Sequence, residues 1–125
     1  MSGRASRTMP AMITLYGIPN CDTVKKARRW LDERGVAYVF HDYKKQGLDE
    51  TRLRAWVDEL GWETLLNRRG TTWRKLPESV REGLDREGAI RAMLENPSLI
   101  RRPVLDTGAV RQVGFSETQY QELFG

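Results

Sequence analysis

The chain has 125 residues, 39% of them hydrophobic, with four Trp, one Cys and one His. A single domain of this size buries enough apolar surface to fold without disulfides or a structural metal. The lone Cys21 and lone His41 exclude a zinc finger, a closed cysteine-rich metal centre and a two-thiol redox motif within one chain.

Lys plus Arg number 21 against 17 Asp plus Glu, a net charge of +4. Arg4 and Arg7 supply two of those charges from residues 1–11, which lack periodicity and read as an N-terminal extension. The remaining +2 is a poor basis for nucleic-acid binding, which wants a clustered basic face. No apolar run of about 18 residues occurs, so no membrane span is expected. No basic segment followed by an apolar core opens the chain, and a cytoplasmic location is expected.

Ile13 to Tyr16 is a short β-favouring run stopped by Gly17 and Pro19, and reads as a buried strand. Asp22 to Arg34 reads as a helix: Val24, Ala27 and Leu31 form one apolar stripe, Trp30 widens it, and Gly35 closes it. Val36 to His41 is β-branched and aromatic, the second strand of a βαβ unit, which makes the two strands parallel. Asp49 can cap a helix with the stripe Leu53, Trp56, Val57 and Leu60, closed by Gly61, and Trp62 to Leu66 adds a turn. Asn67 to Arg74 has no period and reads as a loop. Pro77 suits the first turn of a further helix. Arg86 to Glu95 carries Ala89, Ile90, Met93 and Leu94 on one side and stops at Asn96-Pro97. Val104 to Asp106 and Ala109 to Val113 flank Thr107-Gly108 as a hairpin, and Ser116 can cap a last helix.

The order is β-α-β, a helical insertion over about residues 48–100, then β-β-α. A parallel pair followed by an antiparallel hairpin and a closing helix predicts an α/β, thioredoxin-like fold with a mixed four-stranded sheet. The single domain spans residues 12–125.

Cys21 is the most informative position. It follows a strand and the turn Gly17-Ile18-Pro19-Asn20, and directly precedes a helix. Unpaired N–H groups and the helix dipole favour negative charge there, stabilising thiolate over thiol. Asn20 adjoins it as a candidate substrate-binding residue. Val24 stands three residues after Cys21, so there is no Cys-x-x-Cys, and a disulfide formed at Cys21 must be resolved by another molecule's thiol. Arg68-Arg69 in a glycine-bearing loop and Arg101-Arg102 before Pro103 offer planar bidentate donors to carboxylates and oxyanions. Arg102 is the strongest of these, because in thioredoxin-like folds the residue at this place faces the cysteine loop, before a commonly cis proline. His41 reads as structural and the Trp residues as core, with Trp73 set apart in a polar loop.

Residues 13–27 (ITLYGIPNCDTVKKA), GTTWRKL from Gly70 and IRRPVL from Ile100 resemble the ArsC/Spx family of arsenate-reductase-like proteins, within it the small bacterial YffB-type branch. The resemblance covers about residues 12–124. It implies a thioredoxin-like fold with a helical insertion and glutathione-dependent thiol reductase activity. Cys21 matches the family's nucleophile and Arg102 its oxyanion-binding arginine. Arg68 stands close to a second arginine of the family, with Asn67 as the alternative match. Gly17 replaces a histidine of the arsenate reductases, and Gly114 stands at a third arginine, which argues against arsenate as the natural substrate. Val24 removes the Cys-x-x-Cys switch of the family's regulators.

The resemblance thus implies a monothiol oxidoreductase with Cys21 as nucleophile and Arg102, Arg68 and Asn20 at the substrate. No bound cofactor or metal is expected. Glutathione would be the co-substrate, glutaredoxin a further partner, and the protein a monomer. The alternative is a regulator resembling the RNA-polymerase-binding branch, acting through its surface.

Overall fold

A computed structural model describes residues 13–124; the extension expected over residues 1–11 lies outside the described residues. Strand β1 (Thr14–Gly17) leads into α1 (Asp22–Glu33), and β2 (Val39–Asp42) returns parallel to β1, with Leu15 opposite Phe40. A helical stretch follows: α2 (Tyr43–Gln46), α3 (Glu50–Leu60), α4 (Trp62–Leu65), α5 (Thr71–Arg74), α6 (Glu78–Glu82), α7 (Arg86–Glu95) and a 3-10 turn at Pro97–Leu99. Strand β3 (Val104–Asp106) pairs antiparallel with β1, and β4 (Arg111–Val113) pairs antiparallel with β3. Helix α8 (Glu117–Phe124) closes the chain's described part. The mixed four-stranded sheet has the order β2-β1-β3-β4, the thioredoxin-like arrangement predicted above.

Strand alternation decides what each face of this sheet buries. Leu15 and Leu105 join Ala27, Trp30 and Leu31 of α1 and Tyr120 of α8 in one cluster. Their neighbours Tyr16 and Val104 join Leu53, Trp56, Val57, Ile90 and Met93 of the helical stretch in the other. The sheet therefore carries α1 and α8 on one side and the insertion on the other.

The departures from the predicted elements are local. Strand β2 begins at Val39, not Val36, because Val36 N–H turns back to Leu31 C=O at 3.0 Å. Strand β4 begins at Arg111, not Ala109, because the Thr107 hydroxyl takes up the Val110 N–H at 3.0 Å and holds Ala109-Val110 in the turn. The stretch Asn67 to Arg74 is half helical: α5 occupies its last four residues. Helix α2 is unanticipated; Asp42 caps it by accepting from Lys44 N–H at 2.9 Å, and one turn is too short to show a period.

One buried charge ties the insertion to the sheet. Asp106, 7% exposed, is the one buried charged residue among those described. It lies 3.5 Å from Arg52 of α3 and 3.6 Å from Arg111 of β4, and its carboxylate accepts the Gly108 N–H at 2.8 Å. Two cations and a turn amide offset the desolvation of this carboxylate.

Gly17, at the end of β1, has no room for a side chain. A Cβ there would lie 2.8 Å from Val24 Cγ2, and Val24 is fully buried. Gly17→Ala should therefore destabilise the fold by about 1–3 kcal/mol, the range for overpacking. The cost should shrink when Val24→Ala is already present. Chemical denaturation of the four members of this cycle measures the coupling, and an additive result would remove the contact as the cause.

Candidate active site

Cys21 is the residue on which α1 starts. Its backbone is extended (φ −143°, ψ 124°), and its carbonyl accepts the Lys25 N–H at 2.9 Å, so the helix begins directly beneath the thiol. The thiol makes no direct capping bond. It is partly exposed. Burial alone would raise its pKa; the Val24 N–H, the Arg102 side chain and its charge, and the Thr23 N–H outweigh that and hold the thiol below its ordinary value. The helix start and one arginine thus favour the thiolate together.

Arg102 is positioned by the chain before β3. The Arg102-Pro103 peptide bond is cis. The Arg102 Nη1–H donates to Ser98 C=O at 2.9 Å, which fixes the guanidinium on the 3-10 turn. Its Nε is buried with no partner among the described residues. Its charge also bears on Tyr43, whose hydroxyl pKa is pushed up by burial and by Tyr16, with Arg102 opposing.

An antiparallel bridge brings the remaining side chains to this place. Leu66 pairs with Ile100; Asn67 N–H donates to Leu99 C=O at 2.7 Å and Arg101 N–H to Leu65 C=O at 2.7 Å. The loop after α4 and the segment before Pro103 are thereby held side by side. Asn67, Arg69, Arg101 and Arg102 then line one concavity of about 230 Å³ with Cys21, Thr23 and Gly114. A thiolate-prone sulfur beside Arg102, in a concavity that Arg69 and Arg101 also line, can attack an electrophilic sulfur or oxyanion centre while the anionic remainder is held.

The sequence-based candidates fare differently. Cys21 and Arg102 stand together, as do Asn67 and Arg101. Arg68 is elsewhere: its guanidinium lies over the rings of Trp62 and Trp73, at 5.6 and 5.9 Å. Arg69 takes the place expected for it, because the Asn67 side chain accepts the Arg69 N–H at 3.0 Å and turns the loop there. Trp73 thus serves as a platform for Arg68. Asn20 is exposed and does not line the concavity. His41 is structural: its Nε2 lies 2.7 Å from Gly47 C=O and its ring contacts Tyr16. Gly114, at φ +79°, leaves open space where a Cβ would stand. Among the described residues no group of three or more metal-ligating side chains occurs, and no helix is long and apolar enough to cross a membrane.

The model of the ArsC family matches residues 16–123. A solved structure of a YffB protein is similar at 53% identity and a TM-score of 0.88, covering 91% of this chain and all of that one. The structure of an arsenate reductase (ArsC) related protein from Brucella melitensis is similar at 50% identity and a TM-score of 0.73, covering 94% of this chain and 96% of that one. Among curated proteins, the global transcriptional regulator Spx of Streptococcus agalactiae is 34% identical over 86% of this chain and 80% of its own length.

The alkylation rate of Cys21 by iodoacetamide should follow the thiolate fraction, with a midpoint below the ordinary thiol value of about 8.5. Arg102→Met should move that midpoint upward, with circular dichroism reporting an intact fold. Because the native pKa is depressed, the ionisation of Cys21 adds stability above the unfolded-state pKa. That contribution fades as the pH falls through the native one. A midpoint at or above the ordinary value would remove the electrostatic argument for a reactive thiol.

Proposed function

The chain belongs to the ArsC family, and on that premise we propose that it is a monothiol oxidoreductase with Cys21 as its nucleophile and glutathione as the external thiol. The carrying observation is the placement of Cys21 at the start of α1 in a concavity that Arg69, Arg101 and Arg102 line. The Cys21 thiolate attacks the glutathione sulfur of a mixed disulfide. The S–S bond breaks, the substrate thiolate leaves and takes a proton from solvent, and Cys21 carries glutathione as a disulfide. A second glutathione, as its thiolate, attacks the glutathione sulfur of that adduct. Oxidised glutathione departs and the Cys21 thiolate is restored. Summed, the mixed disulfide and one glutathione give the substrate thiol and oxidised glutathione, so the disulfide level passes from the mixed disulfide to oxidised glutathione. The chain has one cysteine, so the resolving thiol comes from outside, from glutathione or a glutaredoxin.

Arg102 and Arg69 hold carboxylates in this reading, and Asn67 adds a polar contact. Arsenate is the weaker substrate. Gly17 is closed to a side chain by Val24, and Gly114 presents none. Each absent donor forgoes a few kcal/mol of transition-state stabilisation, about a hundredfold in rate. The 34% identity with a transcriptional regulator favours a second reading, in which the surface acts on RNA polymerase and the thiol is idle.

With glutathione, glutaredoxin and NADPH-coupled recycling, a glutathione mixed disulfide should turn over and arsenate should be slow. Cys21→Ser should abolish turnover. Arg102→Lys should lose about 1.5–3 kcal/mol of transition-state stabilisation, because Lys lacks the bidentate fork. Fast Cys21-dependent arsenate turnover would reverse the substrate assignment. An inert Cys21 with no turnover of either substrate would favour the regulator.

A further inference from the structure

The concavity that holds Cys21 measures about 230 Å³. Pockets that enclose a small ligand run to about 300–1,000 Å³. This one accommodates the reacting atoms and leaves most of a substrate outside, so the remaining binding groups must lie on its rim.

The rim is cationic. Residues 64–77 hold Arg68, Arg69, Arg74 and Lys75 with no Asp or Glu, and residues 96–105 hold Arg101 and Arg102 with none. The Leu66–Ile100 bridge sets the two segments side by side. All six cations except Arg102 are exposed. Among the described residues, every ion pair is made by Arg52, Arg54, Arg86 or Arg111, and none by these six. Asp22, next to Cys21, and Glu63, in α4, pair with none of them.

Neutral groups hold these cations instead. Arg74 Nη2–H donates to Arg69 C=O at 3.2 Å and Arg102 Nη1–H to Ser98 C=O at 2.9 Å. Arg101 Nε–H reaches Leu66 C=O at 3.5 Å, and Arg68 lies over the Trp62 and Trp73 rings. A carbonyl dipole or an indole face fixes a guanidinium without cancelling its charge. Elsewhere the chain neutralises such groups, as Arg54 is by Glu50 and Glu87. Around the thiol, positive charge is gathered, held in place and left uncompensated, which suits it to an anionic partner.

We propose that this rim is a docking surface for an acidic segment of a protein whose cysteine carries the disulfide that Cys21 attacks. The proposal rests on the thiol-exchange reading above and names its substrate class. The thiolate that leaves in the first exchange is then that protein's cysteine, and glutathione remains on Cys21 as before. The same cations would attract the phosphates of a nucleic acid, but a nucleic acid offers Cys21 no disulfide. Asp and Glu side chains match the arginine forks, and rim charges of this kind act mainly by steering encounter.

The test offers three cysteine peptides of equal length as glutathione mixed disulfides, with aspartates, serines or lysines flanking the cysteine. The wild type should rank them in kcat/KM as aspartate, serine, lysine. Arg68→Gln/Arg74→Gln should cut the aspartate-to-serine ratio about tenfold. Salt at about 1 M, where the Debye length is about 3 Å, should cut it likewise. Arg34→Gln/Arg91→Gln removes two exposed cations outside both segments and should keep the ratio. Each peptide's own reactivity cancels between proteins. Lys75→Gln removes a rim charge that makes no ion pair and should lower the ratio about threefold; it decides the matter if circular dichroism shows the double rim variant misfolded. The same ratio in every protein, or an equal fall in the rim and control variants, would overturn the docking surface. Competition by single-stranded DNA as strong as that by the reduced aspartate peptide would overturn the protein assignment. Exchange with uncharged 2-hydroxyethyl disulfide separates the two levels. If wild-type Cys21 reacts with it and no charge preference appears among the peptides, the docking surface alone falls. If Cys21 exchanges with no disulfide, the thiol-exchange reading falls and takes this substrate class with it.

Discussion

The pairing of Leu66 with Ile100 is the constraint on which the site depends. Both side chains are buried, and two backbone hydrogen bonds of 2.7 Å flank them. The insertion leaves the sheet after β2 and returns before β3. This short ladder ties its middle, just after α4, to its returning end. It sets the loop bearing Asn67 and Arg69 against the segment bearing Arg101 and Arg102, and the thiol at the start of α1 completes the ring. The buried Asp106, with Arg52 and Arg111, fixes the opposite end of the same insertion to β3 and β4. The apolar cluster of Tyr16 and Val104 with Leu53, Trp56, Ile90 and Met93 holds the insertion on the sheet, and the bridge decides where its arginines stand.

Arg102 illustrates how electrostatics and desolvation are balanced there. A guanidinium with a buried, unpartnered Nε is costly. The compensations in the structure are the Ser98 carbonyl and a sulfur whose ionised form it stabilises. An incoming carboxylate would satisfy what the protein leaves open. Arginine is suited to this because its charge persists at any working pH and its donors are fixed in a plane.

Much of this was legible because it is local. The run from Thr14 to Glu33 contains its own strand, turn, cysteine and helix stripe, and the hydrophobic pattern sufficed to place the thiol at a helix start. The Arg102-Pro103 pair was legible for the same reason. Arg69 was not. Neighbouring arginines look alike in sequence, and the choice between 68 and 69 was made by an Asx turn at Asn67 and by the Trp62 and Trp73 faces that draw Arg68 away. Short elements also escaped, since α2 and α5 span one turn each and no period exists in four residues.

The contact between Gly17 and Val24 bears on how such a site can change over evolutionary time. The two positions are the ones at which the family resemblance implies a histidine in the arsenate reductases and a second cysteine in the regulators. Val24 Cγ2 occupies the volume that any side chain at position 17 would need. A route toward an added polar donor at 17 therefore passes through a smaller residue at 24 first. Taken in the other order, the intermediate is sterically penalised. A smaller residue at 24 is also the step from which a Cys-x-x-Cys pair becomes reachable. Anion chemistry and a thiol switch are thus neighbouring destinations from this sequence, and one methyl group governs the order in which either can be approached.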